Sequence, residues 1–351
     1  MEKKKKIFYL DFIRVLSMIL IVTYHFYVHF AENNITGFKL FYSDNLGMIG
    51  VTLFFILSGA SLMYNYGDKL DLKKYAKKRF LGIYPMFWIA YILVFVYIFY
   101  GCKKIIWDLP LYKLGFSFFA MDGYLSCYTD TFYLIGEWFL GCIVLIYILF
   151  PIFRKLINKY PKTFFIVSTI VNFGILIFYR NGIMELNKNL FVCAYSFILG
   201  MYIIKYLKNI KLWHMLVALV IAIISFIIKV EDQNMKVLLA NIVGYSLFIV
   251  LAYIGQKINN QTIQKIFGKI GKYSYAIFLV HHYIIMKIES TFANTNLRIS
   301  ETFLLYITCW IVIGIFAKLL YIINEKVLNL FKSQKEETKR IEEAKITNGE
   351  K

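Results

Sequence analysis

The 351-residue chain lacks every compact motif that marks a soluble catalytic domain. It has no Walker phosphate loop, no GxSxG elbow, no HExxH zinc helix and no CxxC pair. The missing phosphate loop argues against an ATP-driven pump. No internal repeat is visible. Charge is scarce at 17% of residues, and acid is scarcer than base, with 21 Asp and Glu against 40 Lys and Arg and a net charge of +19. The five cysteines show no ligand spacing, so no metal is expected. Cys142, Cys193 and Cys309 fall inside apolar runs, where a thiol serves as a small hydrophobe. Cys102 and Cys127 share one loop and are candidates for pairing if that loop faces an oxidising compartment.

What the chain has in excess is apolar surface. It is 60% hydrophobic and 19% aromatic, and its mean hydropathy is +0.61. Soluble domains use roughly 45–50% apolar residues. Runs of spanning length lie at Ile7–Phe30, Leu46–Tyr66, Phe80–Tyr100, Phe132–Phe153, Phe164–Tyr179, Leu190–Tyr206, Leu212–Ile228, Val237–Ile254, Tyr273–Met286 and Phe303–Ile323. The expected fold is all-α: a polytopic integral membrane protein of about ten transmembrane helices. Residues 1–331 form the membrane-embedded domain, and 332–351 read as a charged, solvated tail without apolar periodicity. The first run lacks a small-residue cleavage pattern and is expected to stay as an anchor.

Orientation follows from the basic residues. Loops on the side of the N-terminus hold 28 of the 40 lysines and arginines, and the opposite loops hold 10. Both termini are therefore expected in the cytoplasm. Topology and anionic membrane lipid account for the net charge, and no nucleic-acid partner is needed.

The first run is the chemically informative one, because Asp11, Arg14, His25 and His29 interrupt it. Charge inside a membrane is costly, and it normally faces protein or a water-filled cavity. At about 100° per residue, His25 lies about 20° around the helix from Arg14, with Asp11, His29 and Glu32 within about 60° of that line. One face is thus polar from end to end. A rise of about 1.5 Å per residue separates Arg14 from His25 by about 16 Å. The pair Asp11–Arg14 at i, i+3 also has a purely structural reading, as a helix-stabilising ion pair.

Other features are spread along the chain. Lys73, Lys74, Lys77, Lys78 and Arg79 form a basic run before Ile83-Tyr84-Pro85, suited to anionic lipid or to the phosphates of a cytosolic donor. Small residues Gly47, Gly50, Ser58 and Gly59 permit close helix approach. The outer stretch 101–131 has an apolar middle, Leu111–Met121, that reads as a lid dipping into the membrane. Glu137 opens the fourth run. Adjacent His281 and His282 point about 100° apart, so one of them at most is expected to face the interior.

Leu10-Asp11-Phe12-Ile13-Arg14 with R-x10-H spacing to His25, Phe54-Phe55-Ile56-Leu57-Ser58-Gly59, Lys78-Arg79 to Tyr84-Pro85, Trp138-Phe139-Leu140 leading to Pro151, and Lys272-Tyr273-Ser274-Tyr275 before Phe278-Leu279-Val280-His281 together resemble the acyltransferase-3 family. The resemblance runs from Tyr9 to about Ile285. It departs at Gly82, where members often carry a second arginine, and at Glu137, where many carry a histidine or another polar residue. Such enzymes move acyl groups, usually acetyl from acetyl-CoA, to cell-surface glycans.

The resemblance implies a multi-pass protein of the plasma membrane that takes an acyl group from acyl-CoA to a hydroxyl of an extracytoplasmic glycan or lipid-linked sugar. Donor phosphates would lie near Lys77, Lys78 and Arg79, and the pantetheine arm would pass Arg14. His25 would act as general base, with Glu32 or a neighbour orienting it. Asp11, His29, Glu137, Trp138 and His281 would contact substrate. An acyl-histidine intermediate is a second route. The rival class is an exporter of polysaccharide or lipid-linked sugar, in which the polar face lines a permeation path and no bond is made.

Overall fold

The computed structural model describes residues 6–38, 45–103, 108–180, 182–207 and 209–349, with the side chains of Cys102 and residues 332–349 left aside. The basic residues Lys39 and Lys104 therefore lie outside the described residues, as does the Cys102 thiol; Cys127 carries a free thiol. Among the described residues the chain forms thirteen α-helices and no strand. They are α1 (Phe8–Glu32), α2 (Leu46–Tyr66), α3 (Leu72–Cys102), α4 (Leu114–Phe118), α5 (Asp122–Leu125), α6 (Glu137–Lys159), α7 (Pro161–Phe178), α8 (Leu190–Tyr206), α9 (Leu212–Ile227), α10 (Gln233–Lys257), α11 (Gln261–Lys272), α12 (Ser274–Glu289) and α13 (Ile299–Gly349). Each of the ten apolar runs falls on one of these helices, and seven helices are long and apolar enough to cross a membrane. The protein is an all-α, multi-pass membrane protein.

Helix α1 is the hub. It packs against α2, α10, α11 and α12, and its buried residues run from Tyr9 and Leu10 to Phe30. The most extensive helix pair is α2 with α8. Its closeness has a sequence cause: a Cβ on Gly59 would collide with the Phe197 carbonyl, and one on Gly200 with the Ile56 carbonyl. Two backbones touching through glycine is how helices associate where lipid supplies no hydrophobic drive.

The side of the bundle that carries the N-terminus and the basic loops is called here the basic side. Two segments read as loops are helical on it. Helix α3 begins at Leu72, capped by Asp71, whose carboxylate accepts from Lys74 N at 3.0 Å. The basic run is therefore wound on a helix. Tyr75 is buried and Arg79 half-buried, on the same stripe as buried Ile83, Met86 and Ala90, while Lys77 and Lys78 are exposed. Residues 261–272 form α11, which lays Phe267 against Phe12 with ring centroids 5.2 Å apart. Helix α13 continues to Gly349, so the expected tail is helical backbone through that point. Its composition of Glu, Lys, Arg and Ala favours helix, and no proline interrupts it.

On the far side, residues 111–135 fold back along α3. Trp88 Nε1 donates to the Phe118 carbonyl at 3.0 Å, Tyr91 Oη to the Phe132 carbonyl at 2.5 Å and Tyr84 Oη to the Phe119 carbonyl at 3.4 Å. Tyr84, Trp88 and Tyr91 form one helical stripe on α3. They satisfy carbonyls of an irregular segment that reaches the middle of that helix.

Candidate active site

Two cavities lie at different depths along α1. The basic-side cavity, about 250 Å³, is bordered by Arg14, Ser58, Ser61, Arg79, Tyr147 and Ser274. The far-side cavity, about 290 Å³, is bordered by Tyr24, His25, Thr52, Glu137, Trp138 and Asn241. Ile21 borders both. The arginine and the histidine of the R-x10-H spacing therefore sit in separate chambers that share a wall.

The basic-side chamber is lined for an anion. Arg14 donates to Asp11 at 2.7 Å, and Asp11 also pairs with Lys6 at 2.5 Å. The Arg79 guanidinium stands over the Tyr147 ring, 5.6 Å from its centroid, and its buried Nε has no hydrogen-bond partner among the described residues. Gly82 also borders this chamber, and a Cβ there would meet nothing within 4 Å. Lys77 and Lys78 are not among the chamber's lining residues; the helical winding of the run turns only Arg79 inward.

The far-side chamber is backed by imidazoles. The ring of His25 lies 4.7 Å from that of His282 and 5.0 Å from that of His281, and His29 stacks on His282 at 4.5 Å, centroid to centroid. Both members of the His281–His282 pair therefore approach His25, which corrects the expectation that one at most faces the interior. The two directions about 100° apart straddle α1. His281 is fully buried and keeps Nδ1 against its own helix, 2.8 Å from the Phe278 carbonyl. His282 pairs through Nδ1 with Glu137.

Glu137 sits at the start of α6, directly after Gly136 at φ 98°, and its own φ of 33° lies in the left-handed region. A non-glycine residue held there costs on the order of 1–3 kcal/mol, and such strain concentrates at functional sites. The carboxylate also accepts from Tyr133 Oη at 3.0 Å. Behind it, α5 presses so closely on α6 that a Cβ on Gly123 would strike the Glu137 carbonyl carbon at 2.7 Å. The fold-back segment thus fixes the helix start that presents Glu137.

The remaining expected residues distribute as follows. Trp138 borders the far-side chamber beside His25. Glu32 lies on His29 Nδ1 at 2.6 Å rather than on His25, so the carboxylate expected to orient the base orients its neighbour. One helical turn separates Glu32 from His29, two from His25. Asp11 stays at the basic end with Arg14 and Lys6, away from the far-side chamber. The residue that sequence reasoning passed over is His282. The signal was present: Tyr275 and Phe278 border the basic-side chamber, and His282 continues their stripe at i+7 and i+4.

Comparison with known proteins agrees with the geometry. The family described as an acyltransferase domain, acyltransferase-3, matches residues 7–322. The acyltransferase MdmB of Streptomyces mycarofaciens is 27% identical over 139 residues, a stretch amounting to 38% of this chain and 34% of that protein. The match thus spans about a third of the length of that relative. No solved structure gives a significant match. Because the family match takes in both chambers and every helix that lines them, the chain belongs to the acyltransferase-3 family.

Proposed function

We propose that the protein transfers an acyl group, acetyl in the first instance, from cytosolic acyl-CoA to a hydroxyl of an extracytoplasmic glycan or lipid-linked sugar at the plasma membrane. The observation that carries this reading is the pair of chambers divided at Ile21, with two guanidinium groups bordering one and the His25 imidazole bordering the other. The excess of basic residues on the N-terminal side makes the arginine chamber the cytosolic one.

Donor phosphates meet Arg79 at the chamber, with Lys77 and Lys78 at its approach, because arginine offers a planar fork to phosphate oxygens. The acyl-pantetheine arm extends past Arg14 toward Ile21, which puts the thioester carbonyl within reach of an acceptor in the far-side chamber. A neutral His25 takes the proton of the acceptor hydroxyl as its oxygen attacks the thioester carbon. The tetrahedral intermediate then collapses, the C–S bond breaks, and the proton on the imidazolium passes to the departing thiolate. General-base catalysis of this kind contributes typically about 10²–10⁴ in rate. Trp138 and Tyr24 offer ring faces to a sugar, and Thr52, hydrogen-bonded to Asn241 at 2.8 Å, offers polar contacts.

The test is sidedness. Purified protein in sealed vesicles, given acetyl-labelled CoA on one face and a polyhydroxyl acceptor on the other, is expected to label the acceptor ester. Acceptor that crosses the vesicle wall unlabelled would support export in place of transfer.

A further inference from the structure

We infer that His25, His29 and His282 form a divalent transition-metal site, opening to the far-side chamber, at which Zn²⁺ reversibly blocks the base of the transfer reaction. The three side chains come from α1 and α12, and each offers a ring nitrogen such that all these atoms lie within 4.8 Å of one another. Imidazole nitrogen is a preferred ligand of zinc and its neighbours in the first transition row. Tetrahedral zinc with Zn–N of about 2.0–2.1 Å needs nitrogens about 3.4 Å apart, so the rings have to close by roughly an ångström.

The surroundings are those of a ligand set, more than of three rings that merely fill space. His29 Nδ1 is held by Glu32 at 2.6 Å, while its Nε2 is buried without a hydrogen-bond partner among the described residues. His282 Nδ1 is held by Glu137, which leaves Nε2 of that ring for a ligand. A carboxylate on the far nitrogen of an imidazole fixes its tautomer and raises its basicity, the arrangement found around metal-bound histidines. His25 completes the set with Nδ1 also buried and unpartnered. Buried polar atoms without partners are uncommon, and here two of them belong to the same three-residue group. Three imidazoles leave a fourth tetrahedral position, and His25, Glu137 and Trp138 border the chamber on that side. Metal would enter from there.

Coordination uses the imidazole lone pair that would otherwise receive the acceptor proton. Zinc is therefore an inhibitor, and its removal restores the base. This consequence rests on the role proposed for His25, but the metal site does not.

The experiment uses full-length protein purified without a polyhistidine tag, stripped with chelator and titrated with Zn²⁺. About one zinc per chain is expected by elemental analysis after gel filtration. Affinity should fall at least 100-fold in His29→Gln and in His282→Gln. It should fall about 10–100-fold in Glu32→Gln, the loss typical when a carboxylate that orients a metal-bound imidazole is removed, and the Glu32 side chain is itself exposed. Absence of stoichiometric zinc in the parent, or parental zinc affinity in His29→Gln and His282→Gln, overturns the site. In the transfer assay each protein is compared with its own chelated rate, and zinc should slow the parent at least tenfold, reversibly. Zinc that binds through these residues yet leaves the rate unchanged or raises it would keep the metal site and overturn His25 as base.

Discussion

The two chambers along α1 solve different problems with different side chains. On the basic side two arginines lead: Arg14 pairs with Asp11 at 2.7 Å, and Arg79 stands over an aromatic ring. On the far side a group of imidazoles from α1 and α12 packs ring on ring, with Glu137 of α6 on His282 and Glu32 on His29. Fixed positive charge suits holding an anion; imidazole suits moving a proton. Under the proposed function, the bundle would divide donor recognition from chemistry by depth, with α1 contributing to both.

The sharpest way to break this comparison is to exchange the losses. His25→Gln should lower the maximal transfer rate by at least about 10² while leaving donor affinity within about twofold of the parent. Arg14→Ala should do the reverse, weakening donor binding about tenfold, and Arg14→Lys should restore only part of it because the planar fork is gone. Rate and donor affinity, each normalised to correctly inserted protein, distinguish the two. Equal losses in both parameters for both variants would collapse the division of labour.

A smaller effect is expected in the fold-back segment that supports the far side. Asp122 is 1% exposed, and burial pushes its carboxyl up to about 6 against a smaller opposing pull from the Ser117 hydroxyl. The native state thus holds this proton more tightly than the unfolded chain. Stability from this group falls as pH rises from about 4 to about 6 and stays low above that. Asp122→Asn should therefore raise stability above pH 6, by up to about 3 kcal/mol, and give no gain at pH 4. Thermal unfolding in detergent across that range reads the difference, and a gain independent of pH would deny the buried proton.

The smallest effect is expected at Lys77 and Lys78. Both are exposed on the outer face of α3, so replacing the pair with glutamine should weaken donor binding only a few-fold and mainly at low salt, as surface charges do. A loss matching that of Arg14→Ala would mean that the phosphates sit outside the chamber.

Much of this was legible in the chain. The apolar runs fall on helices because their length and composition favour them, and seven of those helices reach spanning length among the described residues. The polar face of α1 was readable because its residues recur at helical spacing within one segment. The pairing across segments was not. Glu137 and His282 meet through the packing of α6 and α12, and no local period couples residues so far apart in sequence. Local reading also gave Glu32 to His25, whereas one turn of helix brings it to His29. The basic run was seen as a block of charge, and only winding it into α3 separated Arg79 from its neighbours.

The far ends of the two histidine-bearing helices are tied together. Asn294 N donates to the Asn33 carbonyl at 2.9 Å, Thr36 N to the Thr295 carbonyl at 3.0 Å and Leu297 N to the Thr36 carbonyl at 2.8 Å, bridging the end of α1 to the connection between α12 and α13. The imidazoles thus belong to two helices joined at their far ends. Away from the imidazoles, Asn187, Lys188, Ser196 and Asn241 line the far-side chamber from the α7–α8 connection, α8 and α10. Under the proposed function, substitutions at those four positions would change the size and polarity of the acceptor that fits while leaving the imidazoles untouched.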